Sequence, residues 1–127
     1  MYSKSSSAQV ISTMLEGVTE IRASYSWTGV IAPSEQWQGN PIYIANSSVN
    51  KLLFDAIAQA GCQISFYGSH NGTDLSEQIV APIDLSSSWL RDRDTSITLL
   101  QFPYVIPVIY NGSEVNLTSL QLAAHLQ

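Results

Sequence analysis

Residues 102–112 read Phe102-Pro103-Tyr104-Val105-Ile106-Pro107-Val108-Ile109-Tyr110-Asn111-Gly112. Both faces of this stretch are apolar, so the pattern predicts a strand that is covered on both sides and ends in a hairpin turn at Asn-Gly. Pro107 lies inside the strand, and proline has no N–H to donate to a neighbouring strand. We therefore expect this strand to lie at a sheet edge or at a bulge.

An apolar edge strand needs a cover, because its open row of backbone N–H and C=O groups pairs readily with other chains. The cover could come from the chain itself, through a helix or the loop of residues 29–40, or from a second subunit. We favour the second subunit. The predicted subunit interface consists of Tyr104, Val105, Ile106, Pro107, Val108, Ile109 and Tyr110.

The composition is typical of a single globular domain. The chain has 127 residues, of which 45% are hydrophobic, and this length suits one domain with a substantial core. Charged residues make up only 12%, about half of the usual share of roughly 25%. We predict a flexible N-terminal tail over residues 1–6 and one globular domain over residues 7–127. The N-terminus does not have the pattern of a signal peptide.

The charge pattern argues against two classes of partner. The net charge is -5 and the pI is about 4.6. The basic residues are scattered along the chain: Lys4, Arg22, Lys51, Arg91 and Arg93. Binding to nucleic acid or to an anionic membrane requires clustered cations that neutralise phosphates. We therefore expect neither nucleic acid nor membrane as a partner.

Hydrophobic periodicity predicts both helices and strands. Apolar residues recur at helical spacing in residues 10–18, 49–60 and 118–126, and Gly61 is a fitting residue to end the second helix. Strict alternation over residues 20–27 predicts a strand, and shorter alternating runs lie at 41–45, 63–67, 79–85 and 97–102. The predicted fold is α+β, a mostly antiparallel sheet of about five to seven strands with two or three short helices on one face. The alternative is a β-sandwich in which the first helix is a strand.

No residue pattern indicates catalysis. Cys62 is the only cysteine, so neither an intrachain disulfide nor an all-cysteine metal site can form. His70 and His125 lack the helical partners of a metal site. Asp92 and Asp94 alternate with arginines in what we expect to be a solvated loop, whereas catalytic carboxylates need burial. We predict no catalytic, cofactor or metal site, no bound cofactor and no enzymatic activity.

Aromatic residues offer a candidate glycan-binding surface. Tyr25 and Trp27 lie on the apolar face of their predicted strand and are expected in the core. Trp37 and Trp89 fall in predicted loops, where aromatic rings near hydroxyls and amides suit carbohydrate. We therefore treat Trp37 and Trp89 as the candidate ligand-facing aromatics.

These observations favour a structural role for the chain. A small, Ser-rich and charge-poor domain with an adhesive strand and no active-site chemistry fits an assembly subunit. The predicted function is a non-enzymatic component of a virus or phage particle, such as a head-decoration, neck or tail protein. Its partners would be copies of itself or other structural proteins, and its location the virion, or alternatively the cytoplasm as a soluble protein. The alternative function is a carbohydrate-binding module that uses loop Trp and Tyr residues.

Overall fold

The computed structural model describes residues 2–4, 8–11, 20–27, 29–45, 47–96 and 102–127, and within these residues it contains eleven strands and no helix. The strands are β1 (Tyr2–Lys4), β2 (Ala8–Ile11), β3 (Ile21–Trp27), β4 (Gln36–Gln38), β5 (Ile42–Tyr43), β6 (Lys51–Ile57), β7 (Cys62–Ser69), β8 (Glu77–Asp84), β9 (Leu90–Ser96), β10 (Tyr104–Asn111) and β11 (Leu120–Leu126).

The strands form two sheets. Sheet A has the order β1-β4-β10-β7-β8, with β5 also paired to β10, and sheet B has the order β2-β3-β11-β6-β9. The described pairings are antiparallel, except that β1 runs parallel to β4. The predicted flexible tail thus includes a paired strand at residues 2–4. The α+β prediction is wrong, and the β-sandwich alternative fits the structure.

The core lies between the inner faces of the two sheets. Tyr25 of β3 meets Trp37 of β4 edge to face, with ring centroids 5.6 Å apart. Phe54 of β6 meets Phe66 of β7 at 5.1 Å. Both pairs join sheet B to sheet A and are almost fully buried. Such aromatic pairs contribute about 0.5–1.5 kcal/mol beyond the apolar area they bury.

The segment predicted as the second helix is strand β6. Leu52, Phe54 and Ala56 are buried, while Leu53 and Asp55 between them are half-buried on the opposite face. The same residues satisfy a helical spacing and an alternating one, because apolar residues occupy both faces of the segment. The backbone pairs with β11 on one side and β9 on the other. These long-range hydrogen bonds override the local preference for helix.

The other two predicted helices show the same error. Residues 118–126 contain β11, whose buried residues alternate: Leu120, Leu122, Ala124 and Leu126. Their leucines and alanines favour helix in isolation, but β11 pairs with β3 and β6 and is therefore held extended. The first predicted helix begins in β2, and its remainder, residues 12–19, lies outside the described residues.

Strand β10 lies inside its sheet, so the edge prediction is wrong. It pairs with β7 along its whole length and with β4 and β5 on the other side. The carbonyl of Pro107 accepts a hydrogen bond from the Gly39 N–H at 2.9 Å. Since the N and C=O of one strand residue point the same way, the Pro107 nitrogen also faces this side. Gly39 lies in the gap between β4 and β5, so no ladder bond is lost.

The chain itself covers the outer face of β10. Ile106 and Val108 point away from the core between the sheets, yet both are buried. Gln38, the register partner of Val108, is also buried and donates a hydrogen bond to the Thr73 carbonyl at 2.7 Å. The β7–β8 loop therefore folds over this face. The physical reason for expecting a subunit interface at residues 104–110 disappears with this finding.

The chain does not form the predicted hairpin after Asn111 but crosses from one sheet to the other. Strand β10 belongs to sheet A, and the next strand, β11, belongs to sheet B. The buried Asn111 amide donates to the carbonyls of Ile31 and Val115, each at 2.8 Å. Its carbonyl oxygen accepts bonds from the backbone N–H and the hydroxyl of Ser113. This side chain therefore holds two connecting segments together.

We expect Asn111→Ala to lower the free energy of unfolding by about 3 kcal/mol, because alanine cannot replace the hydrogen bonds that this buried side chain makes to Ile31, Val115 and Ser113. Urea denaturation measures this loss. The matched control is Asn116→Ala, an exposed asparagine in the same connection, with an expected change below about 0.5 kcal/mol. Equal losses at both positions would contradict the structural role of Asn111.

Candidate functional site

The two candidate ligand-facing tryptophans lie in different environments. Trp37 is fully buried in β4, where it packs against Tyr25. Trp37 is therefore a core residue, and its prediction as a surface aromatic is wrong. Trp89 precedes β9, and 43% of its surface is exposed. Trp89 therefore remains a candidate contact for a ligand.

Local interactions position Trp89 at the edge of sheet B. Leu85 anchors the β8–β9 connection in the core, and its N–H donates to the Cys62 carbonyl at 2.8 Å. The Ser86 carbonyl accepts a bond from the N–H of Ala58. The Ser86 hydroxyl accepts a bond from the Ser88 N–H, a turn that serine favours. These hydrogen bonds hold residues 85–88 of the connection in place directly before Trp89.

Trp89 borders a cleft of about 190 Å³. The other lining residues come from the end of β6 and the start of β11: Ile57, Ala58, Ser119, Leu120 and Gln121. The cleft combines an aromatic ring with a hydroxyl and an amide. Small-molecule sites typically combine apolar walls with a few polar groups that set orientation.

A second depression of about 300 Å³ lies on the outer face of sheet B. Its polar lining includes Arg22 and Ser24 of β3, His125 of β11 and Asp55 of β6. Ala123 pairs in register with Ser24 on one side and Asp55 on the other. These small side chains on adjacent strands leave room above the sheet, while larger neighbours form the walls.

The strand register joins the two depressions into one surface. Ala123 lines the larger depression and Gln121 lines the cleft. Side chains two residues apart point to the same face of a strand. His125, Ala123 and Gln121 therefore follow one another along β11, over about 14 Å at 3.4 Å per residue. We call this surface, from His125 to Trp89, the β11 groove.

Three ionisable groups meet at the His125 end of the β11 groove. Glu20 Oε1 lies 2.6 Å from Arg22 Nε and 3.5 Å from His125 Nε2. The hydrogen bond and positive charge of Arg22 lower the pKa of Glu20. His125 Nε2 is buried and has no hydrogen-bond partner among the described residues. A carboxylate thus already lies between these two basic side chains.

The outer face of sheet A presents other exposed aromatic rings. Tyr110 is 39% exposed, and its register partners are Gln36 of β4 and Gln63 of β7. Tyr43 packs against Tyr104 with ring centroids 5.3 Å apart. Neither of the two depressions described above includes these rings, so we use Tyr110 as a comparison for Trp89.

Cys62, His125 and the pair Asp92 and Asp94 lie on three different strands. Asp92 and Asp94 belong to β9, so the predicted loop is wrong. Cys62 is buried, its thiol lies 3.5 Å from Asn111 Oδ1, and burial raises the pKa of that thiol. Within the described residues, no group of three or more His, Cys, Asp or Glu is arranged to hold a metal ion. The described part of the chain also has no helix that is long and apolar enough to cross a membrane.

The chain is only weakly similar to known structures, with TM-scores below 0.5 for the three described here. The chain matches no family model and no curated protein sequence. It is similar to the structure of a Yersinia pseudotuberculosis-derived mitogen, at 14% identity and a TM-score of 0.45, covering 82% of this chain and 86% of that one. It is similar to a CBM4 structure at 11% identity and a TM-score of 0.43, covering 85% and 71%. A pilus subunit structure from Bacillus endospore appendages has 10% identity and a TM-score of 0.39, covering 94% and 88%. Similarity at this level says nothing about what the chain binds.

Sequence reasoning missed most of the β11 groove. Ser24 and Arg22 were on the polar face of a correctly predicted strand, but nothing marked them as functional. His125 and Gln121 were assigned to a helix, in which Ala123 between them would lie on a different face. The available signal was the alternation of leucine and alanine with polar or small residues in 120–126.

Proposed function

We propose that the chain is a non-enzymatic carbohydrate-binding β-sandwich whose ligand lies in the β11 groove. The observation that carries the proposal is the exposed Trp89 ring beside the hydroxyl and amide groups of its cleft. An aromatic face is electron-rich and attracts the C–H groups of a sugar ring. Hydroxyl, amide and carboxylate groups nearby would bond to sugar hydroxyls.

The dimensions of the groove support an oligosaccharide over a single sugar. The β11 groove extends past Ala123 to His125, over about 14 Å along β11 beyond Gln121. Along the line of β11, Gln121 is followed by Ala123, which Ser24 and Asp55 flank on the two neighbouring strands. A chain of sugar rings can lie along this line, with one ring on Trp89.

The assembly role in a virus or phage particle has lost its main argument. It depended on an open apolar edge at residues 104–110, and the structure places β10 between neighbouring strands of the same chain. The assembly role stays a sequence-based prediction, and the sedimentation velocity of the purified chain tests it.

We expect Trp89→Ala to weaken glycan binding by about tenfold or more, which corresponds to at least about 1.4 kcal/mol. A glycan array identifies ligands of the intact chain, and titration calorimetry gives the dissociation constants. The loss follows from removing the ring on which a sugar would stack.

Tyr110→Ala is the matched control, because Tyr110 is about as exposed as Trp89 but lies on the other sheet. It should leave affinity unchanged. Thermal unfolding of both variants checks that they fold. A chain that binds no glycan, or that binds equally well without Trp89, would refute the proposed function.

A further inference from the structure

We infer that the His125 end of the β11 groove recognises a carboxylate, so that the preferred ligand is an acidic glycan that contains a uronic acid. This inference rests on the proposed function and specifies its ligand class. Arg22 and His125 would receive the carboxylate, and Ser24 and Asp55 would bond to hydroxyls of the same sugar. All four residues line one depression of about 300 Å³.

The contact of Glu20 shows that a carboxylate fits this position. Its Oε1 lies 2.6 Å from Arg22 Nε and 3.5 Å from His125 Nε2. Arg22 and His125 are direct partners across β3 and β11, so their side chains lie side by side. A guanidinium group binds carboxylates through several N–H donors, and the Glu20 contact uses Nε alone. A ligand carboxylate could therefore join or replace Glu20.

His125 adds a second nitrogen beside Arg22, 3.5 Å from the Glu20 carboxylate. Its Nε2 atom is buried and has no hydrogen-bond partner among the described residues. A buried nitrogen of this kind is unfavourable unless a ligand or water bonds to it. A ligand carboxylate that displaces Glu20 would take the position 3.5 Å from this nitrogen.

The acidic character of the whole chain does not oppose this inference at physiological salt. The net charge is -5, but charges are screened over about 8 Å at an ionic strength of 0.15 M. Local groups therefore decide binding. The titratable side chains that line the depression are Arg22 of β3, which is paired with Glu20, His125 of β11 and Asp55 of β6. The register partner of Asp55 in β9 is Arg91.

The test compares acidic oligosaccharides with their neutral esters. The probes are trimers of galacturonic, glucuronic and mannuronic acid, each beside its fully methyl-esterified form, titrated at 0.15 M salt. The two forms share rings and hydroxyls and differ in charge. We expect the acid form of at least one trimer to bind about ten times more tightly than its ester, because charge-assisted hydrogen bonds are the strong ones.

Five variants locate the residues that produce the preference for the acid form. Arg22→Gln and His125→Gln should each remove most of it, whereas Lys51→Gln, which removes a positive charge outside the depression, should retain it. Glu20→Gln should strengthen binding of the acid form about threefold, since it removes a weak competing ion pair. Trp89→Ala should weaken acid and ester forms equally.

The outcomes separate this inference from the proposed function. Glycans that bind through Trp89 with equal affinity for acid and ester would overturn the inference and leave the function standing. An acid preference that survives Arg22→Gln would also overturn it. No binding to any array glycan or trimer would refute both.

Discussion

Ile109→Lys should leave the chain unfolded at room temperature. Ile109 is fully buried in the core between the two sheets, and its register partner Ile64 is equally buried. An isolated charged amine in this position costs several kcal/mol or more, and domains of this size are stable by only about 5–15 kcal/mol. Circular dichroism and the tryptophan emission spectrum report the loss of structure.

The matched control is Tyr110→Lys, one residue along the same strand. Tyr110 points to the opposite face and is 39% exposed, so a lysine there can reach water. We expect this variant to fold with a stability loss of about 1 kcal/mol. If Ile109→Lys instead yields a folded protein and separates a larger assembly, then β10 is a subunit interface and its interior position is wrong.

The second large effect distinguishes a strand from a helix over residues 51–57. Phe54 is buried against Phe66, so Phe54→Ala should lower the free energy of unfolding by about 3–5 kcal/mol. Leu53 is half-buried on the outer face and lines the β11 groove. Leu53→Ala should therefore cost only about 1 kcal/mol.

Chemical denaturation of both variants against the parent chain measures the difference. Along a strand, neighbouring side chains lie on opposite faces, so one of the two residues is in the core and the other is not. The predicted helix had both residues on its apolar stripe. Similar large losses at Leu53 and Phe54 would favour the helix and contradict β6.

The candidate site was only partly predictable from sequence. Trp89 was identified correctly as an exposed aromatic, because the serines before it indicate a surface connection. Trp37 carried a similar signal, a tryptophan among Gly, Pro and Gln, yet β4 buries it beside Tyr25. Whether a loop aromatic points inward depends on what lies across the core, and that residue is 12 positions away in the chain.

Local sequence patterns alone predicted the clearest strand of the chain and the positions of turns and element ends. Alternation over Ile21–Trp27 predicted β3. Gly61 was predicted to end its element; it follows β6 and has a φ of 88°. The pair Asn71-Gly72 is typical of a turn, and it lies in the β7–β8 loop, with a φ of 80° at Gly72. These features depend on neighbouring residues and on backbone sterics, which are local.

The choice of strand over helix, and of an interior over an edge position for β10, depended on contacts between distant segments. Residues 51–57 and 120–126 fit both periodicities, and their pairing with each other selected the extended form. Pro107 is tolerated inside a sheet because its neighbouring strand is interrupted at Gly39, 68 positions earlier. The β11 groove exists because β3, β11 and β6 become neighbours. Each outcome depends on hydrogen bonds and packing between distant segments, which a local pattern does not contain.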